Sequence, residues 1–173
     1  MSWKFMLNRF SKPIVACLTL LAASMSAVTH AGMHTPDRNL LTIIGYHEIT
    51  DHERALIPQY AIKSTQFAEQ IQSLKKDGFH FISVDQLIKA NQGSYKLPKK
   101  PLLLTVDDGY QSFYKYAYPI VKEKRVPVVL SVVGSWIETQ GQQVSFCDQK
   151  IPRSDILTWA ELKEMQDRKK DEI

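Results

Sequence analysis

The 173-residue chain has the length of one domain, and a composition that is 44% hydrophobic and 23% charged excludes a disordered or low-complexity segment. The formal net charge is +4, but the lysines and arginines are dispersed. The clusters Lys99-Lys100 and Arg168-Lys169-Lys170 are too short to be more than solvated faces, which argues against a nucleic-acid partner.

Residues 1–12 carry Lys4, Arg9 and Lys12 and no acid, and an apolar stretch follows from Pro13 to about Val28. Small residues then lead to Thr29-His30-Ala31. This three-part layout predicts a secretory signal peptide over 1–31 and therefore a periplasmic or cell-envelope protein. The apolar core is short and rich in Ala and Ser, which favours cleavage over a membrane anchor. Cys17 follows Ile14-Val15-Ala16, a loose lipoprotein box, so the membrane enters through the signal peptide or a lipid anchor. After cleavage only Cys147 remains, and a lone cysteine closes no internal disulfide.

Residues 32–39, with Gly32, Pro36 and Asp37, read as a flexible lead-in. Leu40 to Tyr46 is a short branched apolar run and predicts a buried strand. Residues 51–63 lack periodicity and contain Pro58, which predicts a loop. Ser64 is a good N-cap before Phe67, Ile71 and Leu74 at helical spacing, with Gly78 as the stop. A strand over Phe79 to Ile82, a short helix capped by Ser83 and ending before Gly93, and a strand over Pro101 to Val106 follow, the last apolar enough for burial on both faces. Tyr110 to about Arg125 predicts a helix with an irregularity near Pro119, and Val126 to Val133 another strand. Residues 134–156 predict a long connection, after which Thr158 and Glu161 form a capping box for a final helix. This alternation argues for a parallel α/β architecture, whose reactive groups stand at the carboxyl ends of strands.

Two such ends carry ionisable groups. Gly45-Tyr46-His47-Glu48 follows the first strand, and Thr105-Val106-Asp107-Asp108-Gly109 follows the third. Successive carboxylates there point in different directions, so one can bind a cation while the other accepts a proton from water. Asp-Asp-Gly by itself is also an ordinary turn. His47 by itself is a capping or packing group as readily as a catalyst.

The stretch from Leu102 to Ile137 resembles the first signature region of the polysaccharide deacetylase family with the NodB-type domain (carbohydrate esterase family 4). IIGYHEIT resembles the strand and histidine that open that domain. Gly134-Ser135-Trp136 and LTWAELKEM resemble its branch acting on a β-linked N-acetylglucosamine exopolysaccharide of biofilms. The resemblance implies a distorted (β/α) barrel, here truncated to about its first half, with residues 40–173 a partial domain. It implies metal-dependent N-deacetylation of an amino-sugar polysaccharide. It further implies Asp107 as general base, Asp108 as metal ligand, His47 as a substrate or active-site neighbour, and a divalent metal, zinc first. The family completes its metal site with two histidines after the segment matching LTWAELKEM, so the resemblance implies that the chain stops before them and is inactive alone. Of the other histidines, His30 and His34 straddle the expected cleavage site, His80 lies in a strand pattern, and nothing brings His52 to Asp108.

Two further readings stay open. One is a non-catalytic carbohydrate-binding scaffold that stacks sugars on Tyr110, Tyr114, Tyr118 or Trp136, although these aromatics suit a core equally well. The other is a glycoside hydrolase pairing one of the aspartates with Glu48.

Overall fold

The computed structural model describes residues 40–53, 55–146 and 148–171, with side chains described to residue 167. The expected signal peptide and lead-in, 1–31 and 32–39, lie outside the described residues, as does Cys147. Among the described residues no helix is long and apolar enough to cross a membrane.

The sheet is built around β5 (Pro101–Val106), whose Leu102, Leu104 and Val106 are fully buried. β1 (Thr42–Tyr46) pairs with one side of it in parallel, from Thr42↔Leu102 to Tyr46↔Val106. Its other side is shared end to end by two short parallel strands. β4 (His80–Phe81) pairs with its first residues, and β6 (Val128–Leu130) with its last three. A parallel sheet needs helices between its strands. α1 (Ser64–Lys76) precedes β4, and α2 (Val84–Asn91) links β4 to β5. The segment from Gln111 through α3 (Tyr118–Glu123) links β5 to β6.

α1 presents Phe67 and Ile71 to the buried face of β5, where Phe113, Ala117 and Val121 join them. Burying one such side chain stabilises by roughly 2 kcal/mol, so this helix is held by its apolar stripe. Ser64 stands one residue inside α1 rather than at the cap. Its N–H and Oγ–H both donate to the Asp51 carboxylate, at 3.0 and 2.6 Å. An acid reached through the tertiary fold thus does what the neighbouring serine was expected to do. Ser83 does cap α2, accepting the Gln86 N–H at 3.2 Å.

The irregularity expected near Pro119 is a π-helical turn over Phe113–Ala117, in which the Tyr118 N–H reaches back to the Phe113 carbonyl. Proline lacks the N–H that would continue the regular ladder, and the wider turn precedes it. The four expected strands are all present: β5 has the expected bounds, and the other three are shorter than the apolar runs that announced them. The loop expected over 51–63 contains a 3₁₀ turn, Pro58–Tyr60, and a two-residue strand β3 (Ala61–Ile62) paired in parallel with β2 (Glu48–Ile49).

The largest departure from expectation is the connection 134–156. It holds α4 (Gly134–Glu138) and an antiparallel hairpin of β7 (Gln143–Phe146) and β8 (Gln149–Pro152). These bury Ile137, Val144 and Ile151 in a second core with Ile57, Tyr110 and Ile156. Arg153 ties it, donating to the carbonyls of Ile137 at 2.8 Å and Ile156 at 2.9 Å. α5 (Trp159–Asp171) closes the described chain behind its Thr158–Glu161 capping box. The parallel α/β class stands. The four-stranded sheet does not close into a barrel among the described residues.

Candidate active site

Parallel pairing of β1 and β5 brings two chain segments out at the same edge of the sheet. Gly45 pairs with Thr105 and Tyr46 with Val106, so His47 and Asp107 emerge together. The Asp107 N–H donates to the Tyr46 carbonyl at 2.9 Å and carries the ladder one residue further. A side chain at Gly45 would meet Thr105 Oγ1 at 3.2 Å and Asp107 Oδ2 at 4.0 Å, so the Asp107 carboxylate lies over β1 where glycine leaves room.

The chain then turns through two left-handed residues, Asp108 at φ +73° and Gly109 at φ +82°. Aspartate tolerates this region better than most side chains, at a cost of about 1 kcal/mol. Gly109 has no substitute, because a Cβ there would stand 3.0 Å from Val132 Cγ1. Three backbone bonds fasten the turn: Gly109 N–H to Asp107 O at 3.0 Å, Val133 N–H to Asp108 O at 3.3 Å, and Leu157 N–H to Gly109 O at 2.9 Å.

Four polar atoms follow one another without a hydrogen-bond partner in this buried turn: Asp108 Oδ2, the Tyr110 hydroxyl, Gln111 Oε1 and Ser112 Oγ. Orphaned buried polar atoms cost on the order of 1–3 kcal/mol each, so four in five residues call for a ligand, an ion or water. Burial pushes the Tyr110 hydroxyl far above the usual tyrosine range, and the carboxylates of Asp108 and Glu48 push it the same way. Tyr110 is therefore a neutral hydroxyl that lies against Asp108.

Glu48, beside His47, is only 2% exposed. Its Oε1 accepts the Leu56 N–H at 3.1 Å and its Oε2 the Ile57 N–H at 2.9 Å. Both oxygens are committed to the loop that returns to β3, which leaves Glu48 poorly suited to be the second carboxylate of a glycosidase. The register Glu48↔Ala61 places His47 opposite Tyr60, and their rings stack at 5.2 Å and 29°. No signal in the sequence announced this pairing, because two-residue strands carry no periodicity.

The other described histidines are held by other contacts. His52 meets the Tyr116 ring edge-on at 5.8 Å and, with Glu48, Gln111 and Ser112, lines a recess of about 160 Å³. His80 holds the Lys99 carbonyl with Nδ1 at 2.8 Å, beyond the opposite end of β5. His30 and His34 lie outside the described residues. Among the described residues no three His, Cys, Asp or Glu side chains converge on one point. Asp108 Oδ2 suits a cation, but a catalytic zinc site takes three protein ligands, and this set does not supply them.

Of the aromatics expected as sugar platforms, Tyr110 is buried, and Tyr114 and Tyr118 stack on each other at 6.0 Å. Trp136 packs edge-on against Phe146 at 5.6 Å.

Residues 94–173 match the family model described as polysaccharide deacetylase. The chain is 34% identical over 128 residues to a poly-beta-1,6-N-acetyl-D-glucosamine N-deacetylase of Escherichia coli, covering 73% of this chain and 19% of that one. It is similar to the solved de-N-acetylase of Aggregatibacter actinomycetemcomitans, with TM-score 0.69 and 31% identity over 75% of this chain and 51% of that one. The deacetylase domain of Bordetella bronchiseptica aligns with TM-score 0.62 and 30% identity, again over 75% and 51%. The chain thus spans about half the length of these solved chains and a fifth of the curated relative.

Proposed function

The chain belongs to the polysaccharide deacetylase family, and on that premise we propose that it forms the acid-pair part of a distorted (β/α)-barrel domain. That domain would N-deacetylate a β-1,6-linked N-acetylglucosamine exopolysaccharide. The observation that carries this reading is the buried, unpartnered Oδ2 of Asp108 next to Asp107 at the carboxyl end of β5.

In this reading Asp107 takes the proton of the attacking water and His47 faces the substrate beside it. Water adds to the amide carbon, the C–N bond breaks, and the products are acetate and a free amine. Asp108 is one ligand of a divalent metal, zinc first, with the other donors coming from outside the described residues. Bound there, such an ion would supply Lewis acidity to the site. The basic and apolar N-terminal pattern supports export to the periplasm or cell envelope, which mass spectrometry of the mature N-terminus checks.

The deciding experiment measures acetate release from β-1,6-linked N-acetylglucosamine oligomers. The 173-residue chain alone is expected to be silent. A chimera that joins it to the remaining part of the Aggregatibacter domain is expected to release acetate with a divalent metal and to lose this with Asp107→Asn or Asp108→Asn. A folded but silent chimera refutes the reading. Turnover by the short chain refutes the requirement for outside donors. Glycan binding without turnover is the second reading, favoured by the incomplete donor set. It is distinguished by binding that survives both chelation and Asp108→Ala.

A further inference from the structure

We propose that Tyr60 is a sugar-stacking residue at the mouth of the site, presenting its free ring face to a pyranose ring of the polymer next to the one at Asp107. This inference rests on the polysaccharide reading above and names a residue that reading does not require.

Tyr60 is 59% exposed, although its neighbours Ile57 and Ile49 are almost completely buried. One ring face stacks on His47, whose strand end adjoins Asp107. An aromatic ring backed by another ring and open on its outer side suits the apolar C–H face of a sugar. Its hydroxyl stands at the rim, where it can meet the polar edge. Tyr114 and Tyr118 stack on each other and Trp136 packs on Phe146, whereas Tyr60 keeps an exposed outer face beside His47.

The way the ring is held strengthens the case. The loop from Asp51 to Tyr60 is shaped by the buried carboxylate of Glu48 on the Leu56 and Ile57 N–H groups, and by the Asp51 carboxylate on Ser64. It is closed by Thr50 N–H to Ile62 O at 3.0 Å and Tyr60 N–H to Ile57 O at 2.9 Å. Burying a carboxylate to fix a surface loop is a costly way to gain stability, because apolar packing of the same volume does as well or better. It does fix backbone geometry, and here that sets a projecting aromatic at one position. Preorganised aromatics of this kind lose little entropy on binding.

The test uses the 173-residue chain without metal, titrated with β-1,6-linked N-acetylglucosamine oligomers and followed by amide shifts and saturation transfer. Tyr60→Ala is expected to weaken binding about tenfold, and Tyr60→Phe to stay within about twofold of the parent. Tyr95→Ala, at the far end of the sheet and also exposed, is the control and should change nothing. Unchanged amide spectra of the Leu56–Ile57 segment establish that the loop is intact in each variant. Equal binding by Tyr60→Ala and the parent overturns the inference and leaves the deacetylase reading standing. So does equal weakening by the Tyr60 and Tyr95 variants. A parent chain that binds no oligomer overturns it too, whereas acetate release by the chimera judges the deacetylase reading separately.

Discussion

The two ends of β5 carry the same backbone strain and resolve it in opposite ways. Lys100, before the strand, has φ +48°, and Asp108, after it, has φ +73°. At the first end the strain is surrounded by satisfied groups. The Lys100 ammonium donates to the Asp77 carbonyl at 2.7 Å and lies 5.5 Å from the centre of the Phe79 ring. Its own carbonyl accepts the His80 N–H at 3.0 Å. At the second end the strain is surrounded by four orphaned polar atoms. Strain with partners is a solved folding problem. Strain beside unpartnered polar atoms is the pattern of a functional strand end.

The strongest way to break this comparison is at its glycines. Gly109→Ala combines a left-handed alanine with a Cβ 3.0 Å from Val132, and should cost about 3 kcal/mol in urea unfolding. Gly78→Ala has nearly the same φ, +81°, with nothing within 4 Å of its Cβ, and should cost only about 1 kcal/mol. Equal losses would mean that Val132 gives way and the turn is not tightly packed. Next in size is Glu48→Ala, which strips one buried and one part-buried N–H group of their acceptor and should cost about 2 kcal/mol. Glu48→Gln keeps one acceptor and should lose about half as much.

The sharpest contrast is one of sign. Asp108→Asn removes the charge of a half-buried carboxylate whose Oδ2 has no partner, while keeping a residue that tolerates φ > 0. It should stabilise by about 1 kcal/mol, or roughly 3 °C in Tm. Lys100→Ala removes a satisfied donor and should destabilise by about 1 kcal/mol. If Asp108→Asn also destabilises, the two ends are alike, and the unpartnered oxygen is not a store of unused binding energy.

Much of this was legible in sequence because the signals were local. The apolar run of β5, the Ser83 cap, the Thr158–Glu161 box and the TVDDG strand end each act within a few residues. The unreadable parts depend on contacts distant in sequence. The hairpin of β7 and β8 alternates too weakly to stand out, with only Val144 and Ile151 buried, and it becomes a core element only against Tyr110 and Ile137. The His47–Tyr60 stack follows from a two-residue register that no pattern encodes. Asp51 replaced Ser64 as the partner of the first turn of α1 because it is folded back from 13 residues away.

The smallest expected effect concerns the final cap, which borders the orphaned turn through the Leu157–Gly109 bond. Burial pulls the Glu161 carboxyl up. Hydrogen bonds from the Thr158 N–H, Gln111 Nε2 and Thr158 Oγ1, at 2.8, 2.8 and 2.9 Å, outweigh it and leave the group below the ordinary glutamate range. A depressed carboxyl contributes stability that is present above its unfolded value, about 4.3, and is lost as the pH falls through the folded value. Glu161→Gln should therefore cost under about 0.5 kcal/mol at pH 7, since the group is partly solvated, and the gap to the parent should close below about pH 4. Chemical denaturation at the two pH values reads this directly. A gap that widens on acidification would mean that burial outweighs the three bonds. The Gln111 side chain, which gives its amide N–H to Glu161 and leaves its own oxygen orphaned, would then be held from the site side rather than from α5.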